Sequence, residues 1–177
     1  NSSKDNAAYV AVADPFHEEH DARLVRWSPG CNGGSGLVSM LDDETDVGNA
    51  RAVIYDVVVG GDGGCPEGGT IDGGTPGQAT RAWQYVNGGP SSAAGSFRLS
   101  PTGSLDGSRV IDWGLSSNLA KPAFVEVDAQ GNKLLELTLT SGLDVSFRAI
   151  KVPIAALDLN ALRSTAGRAI PDAGTGL

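Results

Sequence analysis

Ala52-Val53-Ile54-Tyr55-Asp56-Val57-Val58-Val59 is the strongest β-run of the chain. Branched and aromatic side chains crowd a helix and suit a pleated surface. Similar runs lie on both sides of it. On the N-terminal side are Ala8-Tyr9-Val10-Ala11-Val12, Arg23-Leu24-Val25-Arg26-Trp27 and Gly36-Leu37-Val38-Ser39-Met40-Leu41. On the C-terminal side are 82–86, 96–99, 108–113, 123–127, 133–139 and Phe147-Arg148-Ala149-Ile150-Lys151-Val152. Only 154–163 reads as a helical turn or two. The chain is therefore expected to be all-β. Nine of the eighteen residues in 60–77 are glycine, so that stretch is expected to be a long surface loop.

The turns carry a loose repeat. Arg26-Trp27-Ser28-Pro29-Gly30 leads into a strand ending in Asp42-Asp43. Arg98-Leu99-Ser100-Pro101-Thr102-Gly103 leads into one ending in Asp112-Trp113-Gly114. Glu126-Val127-Asp128-Ala129-Gln130-Gly131-Asn132-Lys133 is a hairpin with glycine where φ is positive. Strand, Pro/Asp-x-Gly turn and strand in succession is how propeller blades read, although a sandwich also gives short strands with turn residues between them. The expectation is a single partial β-propeller domain over 1–177, with a C-terminal tail at 164–177. At roughly 40–50 residues per blade, it would hold about three to four antiparallel blades. Such a segment leaves bare strand edges, so missing blades or another polypeptide must complete the ring.

Composition narrows the function classes. The 177 residues carry a formal net charge of −8, which argues against nucleic acid and anionic membrane surfaces. No run approaches the ~20 apolar residues of a membrane span. The opening Asn1-Ser2-Ser3-Lys4-Asp5-Asn6 reads as an internal or processed start. Cys31 and Cys65 both lie in glycine-rich loops. A disulfide between them would stabilise by roughly 3–4 kcal/mol in the chain-entropy model. Two loop cysteines in an acidic, lysine-poor chain point to a secreted, periplasmic or extracellular location. No CxxC pair or cysteine–histidine spacing fits a metal, and no cofactor is expected.

The chain has two histidines, His17 and His20. Only histidine has an unperturbed pKa near neutrality, so His20-Asp21-Ala22-Arg23 is where acid–base or nucleophilic chemistry would sit. The plainer reading makes His20 a strand-end residue holding a loop through Asp21, and His17 a surface residue. Asp42-Asp43-Glu44 with Asp46 reads as a solvated acidic turn, because the spacing lacks the glycine and terminal glutamate of a calcium loop. Trp27, Trp83 and Trp113 read as packing aromatics, and Arg148 as a structural residue.

Two motif groups spread over 17–150 resemble the C-terminal half of the bacterial arylsulfotransferase-type propellers. The first is His20-Asp21-Ala22-Arg23 with Pro29-Gly30 and Leu41-Asp42-Asp43. It is similar to that family's His-Asp strand, Pro-x-Gly turn and Phe-Asp-Asn corner, with Asp43 standing where the family has asparagine. The second is Val110-Ile111-Asp112-Trp113-Gly114, then Glu126-Val127-Asp128-Ala129-Gln130-Gly131, then Ser146-Phe147-Arg148-Ala149. It resembles the family's Trp-Gly strand end, Glu-x-Asp-x-x-Gly hairpin and Tyr/Phe-Arg closing strand. The glycine-rich insertion at 60–77 departs from the family pattern. The resemblance implies sulfuryl transfer from a phenolic sulfate ester to a small phenol, without nucleotide, through a sulfated histidine. His20 matches that histidine. Asp21, Arg23 and His17 are local candidates for support and Arg23 or Arg51 for an anion partner, and the resemblance does not place either arginine in the site. The competing function is a non-catalytic extracellular module that keeps the scaffold and assembles with other chains.

Overall fold

The computed structural model describes residues 11–12, 14–30, 33–43, 48–59, 77–86, 91–101, 103–115, 122–139 and 146–169. They form an all-β structure of two antiparallel four-stranded sheets that do not close on themselves. Sheet one is built from β2 (Glu19–Gly30), β3 (Gly33–Asp42), β4 (Arg51–Val59) and β5 (Gln78–Val86). The two-residue β1 (Ala11–Val12) adds to β5 in parallel. Sheet two contains β6 (Ser96–Ser100), β7 (Ser108–Asp112), β8 (Phe124–Val127) and β9 (Lys133–Leu137) in sequential order.

The expected count of three to four sheets is corrected to two among the described residues. Long strands and the 60–77 insertion make the first sheet occupy 19–86, so less chain remains for others. The 60–77 loop apart from Gly77, Cys31 and Cys65, and with them the expected disulfide, lie outside the described residues.

Strand alternation places the core. Leu37 and Leu41 of β3 and Ala52 and Ile54 of β4 face sheet two, where they meet Phe97, Leu99, Ile111, Trp113, Val125 and Val127. The intervening residues Met40, Val53 and Tyr55 form a second cluster on the far side of sheet one, packed against Val12 and Phe16. Such alternation is what a sheet covered on both faces requires. In β5 a bulge between Arg81 and Trp83 changes the phase. Trp83 therefore turns inward and stacks on Phe97 with centroids 5.5 Å apart. Trp113 is buried as expected. Trp27 is not in the shared core; it lies over Gly34, where a Cβ would fall 2.8 Å from the indole.

The β8–β9 hairpin turns as its sequence requires. Asp128 Oδ1 accepts the N–H groups of Gln130 and Asn132 at 2.9 and 2.8 Å. Gly131 has φ 88. A Cβ there would meet only Tyr85 at 3.8 Å, so the demand for glycine is conformational rather than steric. Gly131→Ala is expected to cost about 1–2 kcal/mol, read as a lower denaturant midpoint with unchanged slope.

Two expectations at the C-terminus are corrected. Residues 147–152 do not form a strand, because their backbone is satisfied elsewhere. Gly95 N–H donates to Phe147 O at 3.2 Å. The Ser96 hydroxyl bridges Ala149, accepting its N–H at 3.2 Å and donating to its carbonyl at 3.3 Å. The helix is longer than a turn or two: α1 spans Leu159–Ala169, taking in part of the supposed tail. Asp158 Oδ1 caps it by accepting the N–H groups of Asn160 and Ala161 at 3.0 and 2.9 Å. Among the described residues no helix is long and apolar enough to cross a membrane.

Candidate functional site

His20 sits near the start of β2, opposite Leu41 of β3. Leu41 points into the core, and the residue two further on, Asp43, keeps that phase. The Asp43 N–H donates to Glu18 O at 2.9 Å, which extends the β2–β3 pairing past the end of the ladder. The result is a diagonal pair: His20 Nε2 lies 2.9 Å from Asp43 Oδ2. The carboxyl is fully buried, while the imidazole keeps 37 % of its exposure. The connection from β5 to β6 closes over them. Ala94, with φ 63, directs its N–H at His20 Nε2 from 3.2 Å. Buried Ser91 lies against the same carboxyl.

This overturns the reading of Asp42-Asp43 as a solvated turn. Both side chains are fully buried, and each is answered by a basic group. Asp42 accepts Arg51 Nε at 3.0 Å and the His17 N–H at 3.0 Å. Glu44 and Asp46 lie outside the described residues, and no metal-holding cluster occurs among the described ones. His17 contributes its backbone N–H, and its side chain is exposed.

The expected partnership of Asp21 with His20 is also corrected. The β2–β3 register shifts between His20 and Arg23, and Asp21 has φ 56. Such a bulge re-aims a side chain away from its strand neighbours. Asp21 Oδ1 instead holds Arg98 of β6 at 2.8 Å and Arg23 Nε at 3.1 Å. Burial pushes the Arg98 guanidinium down, Asp21 opposes that, and the charges of Arg23 and Arg148 add to the depression. Arg98 and Arg23 thus share one carboxylate, and the charge of Arg148 reaches Arg98. Arg51, the other suggested anion partner, is on the opposite face, held by Asp14 at 2.8 Å and by Asp42.

Two proton placements satisfy the His20–Asp43 geometry. With Asp43 protonated, its O–H and the Ala94 N–H both point at the Nε2 lone pair, and Nδ1 carries the hydrogen. With Asp43 ionised, Nε2–H donates to the carboxylate, Nδ1 holds a free lone pair, and the Ala94 N–H loses Nε2 as its acceptor. Burial pushes the Asp43 carboxyl up to about 6, against the opposing charge of His20 and the Ser91 contact. The placement with Nε2–H on the carboxylate therefore becomes favoured as pH rises past that value.

The same shift bears on stability. A buried carboxyl whose pKa is raised stabilises the fold while protonated. That contribution is complete below the ordinary 3.8 and is lost as pH climbs through about 6. About two pH units correspond to about 3 kcal/mol. Asp43→Asn, a neutral isostere, should flatten this loss. Unfolding free energies at pH 4.5 and pH 8 should differ less in the variant than in the wild type by about 2 kcal/mol, the part of the loss that lies above pH 4.5. Equal differences in the two proteins would remove Asp43 as the cause.

Sequence reasoning named His20, with Asp21, Arg23 and His17 as support, and of these the structure brings only His20 to Asp43. It missed Asp43 as the histidine's partner, and Arg98 and Arg148 as the other guanidiniums. The phase of Asp43 with Leu41 was the available signal for the first. For the arginines there was none, because they come from another sheet and from the segment packed on it. Comparisons with family models, with curated proteins and with solved structures give no match.

Proposed function

We propose that the two sheets are adjacent blades of a larger β-propeller, and that this segment transfers a sulfuryl group from a phenolic sulfate ester to a phenol through His20. The observation that carries the reading is the buried Asp43 carboxyl at 2.9 Å from Nε2 of a ring that remains open to solvent. A carboxylate there fixes the tautomer and leaves Nδ1 as the nucleophile.

In the first half-reaction the Nδ1 lone pair attacks sulfur and the sulfur–aryl oxygen bond breaks. The phenolate leaves and takes a proton from water. The imidazole, now sulfated on Nδ1 and positively charged, keeps its Nε2–H on Asp43. In the second half-reaction the acceptor phenol attacks sulfur, the nitrogen–sulfur bond breaks, and the phenol proton passes to solvent. Arg23, Arg98 and Arg148 supply cationic donors for the sulfuryl oxygens. Further blades, from the same polypeptide or another, complete the ring, and an exported location suits the reading.

The test is incubation of the native particle with nitrophenyl sulfate and phenol. Nitrophenolate release, phenyl sulfate formation and a sulfuryl group trapped on the His20 peptide are expected, with rates rising past pH 6 as Asp43 ionises. A second reading, the non-catalytic assembly module, is favoured by β9, the edge strand of sheet two among the described residues, where Leu134, Leu135 and Leu137 are all exposed. An absence of turnover in a particle with a second polypeptide would select it.

A further inference from the structure

We propose that the groove between the outer face of sheet two and residues 146–151 binds a flat aromatic anion. The proposal deepens the sulfuryl-transfer reading by assigning a surface to the aromatic part of a substrate, and its test needs no turnover.

Strand alternation sends Val125 and Val127 into the core, so Phe124 of β8 and its cross-strand partner Leu137 of β9 face outward, beside Leu135. Residues 146–151 pass over this face. They are fastened along one side by the bonds of Phe147 and Ala149 to Gly95 and Ser96, and by Ser146 on Asp112. On the other side Lys151 Nζ reaches Glu126 Oε1 at 2.5 Å. The fastenings leave a space of about 490 Å³ over β8 and β9. That lies within the roughly 300–1,000 Å³ typical of small-ligand sites.

Charge decides the class of ligand. Burial pushes Glu126 up, but the bonds from Lys151 and Ser108 and the Lys151 charge outweigh it and hold the carboxyl low. Glu126 and Lys151 therefore answer each other. Arg148, also in the lining, has no ion-pair partner among the described residues. Its guanidinium lies over the Phe147 ring, 5.8 Å from the centroid, and its field reaches Arg98, which Asp21 holds. The walls Phe124, Leu135, Leu137 and Ile150 are apolar, and both leucines are about half exposed. An apolar slot with one unanswered cation at its rim suits a planar ring bearing a negative group. Neutral aromatics lack the charge term, and small inorganic anions cannot cover the leucines.

Naphthalene-2-sulfonate is a suitable probe, because its carbon–sulfur bond does not take part in transfer. Titration calorimetry on the native particle should show saturable one-to-one binding. Arg148→Ala and Leu137→Asp should each weaken it by at least about tenfold. A neutral naphthalene carrying a hydroxymethyl group should bind at least about tenfold more weakly than the sulfonate. No saturable binding, as when another sheet fills the groove, overturns the proposal. So does binding that neither groove variant alters. Binding without turnover keeps the groove and removes the transfer reading; turnover without binding does the reverse.

Discussion

His20→Ala should abolish release of phenol from an aryl sulfate, by a factor on the order of 10³ or more, as removal of a covalent nucleophile does elsewhere. The variant removes the only group in the cluster with a lone pair suited to attack at neutral pH. The arginines remain, so donor binding is expected to survive. The change also leaves Asp43 buried beside a cavity, and lost activity alone could then reflect lost structure. His20→Gln answers this, because its side-chain amide can still donate to Asp43. It should unfold close to the wild-type midpoint and be as inactive as His20→Ala. Full turnover in either variant would remove the mechanism. A wild type without turnover, with His20 unmodified after incubation, would leave the assembly module as the surviving reading.

Arg51→Met should destabilise the fold by about 3–5 kcal/mol, the range for breaking a buried pair and leaving one charge behind. Arg51 lies on β4 with its side chain 6 % exposed. It donates to Asp42 Oδ2 through Nε at 3.0 Å, to Asp14 through NH1 at 2.8 Å, and to Pro15 O at 2.9 Å. The guanidinium therefore ties the segment before β2 to the outer face of sheet one. Tyr55 helps by donating its hydroxyl to Asp14 O at 2.6 Å. Methionine would keep much of the volume but leave the fully buried Asp42 carboxylate with backbone donors only. The double variant Arg51→Met, Asp42→Leu should recover much of the loss, because no unpaired charge then remains. Chemical denaturation at neutral pH measures both. A loss below about 1 kcal/mol in the single variant would place this network among the weak surface pairs.

The two variants sit on different levels of legibility. His20 was visible because histidines are few and this one precedes a recognisable strand. Arg51 was named only as an alternative anion partner. Its role was not visible, because the pattern of β4 did not reveal that the N-terminal segment folds back over that face. Trp27 shows the same limit. Its type marked it as a packing residue, but a neighbouring glycine in the β2–β3 ribbon, rather than the core, receives it.

By itself the sequence determined what depends on near neighbours. Branched residues in alternation produced the strands, Asp128 with Gly131 produced the hairpin, and proline with glycine marked the turns. These outcomes follow from local sterics and backbone hydrogen bonding, which act within a few residues. Tertiary structure decided the rest. Asp43 meets His20 across 23 positions of sequence, because β2 and β3 pair in one particular register. Asp21 turns from His20 to Arg98, because a bulge interrupts that register and a second sheet supplies the arginine. Whether a carboxylate lies in water or beside a histidine depends on which strand covers it. Coverage is set by long-range packing, so the side chains that make up the site come together only in the folded chain.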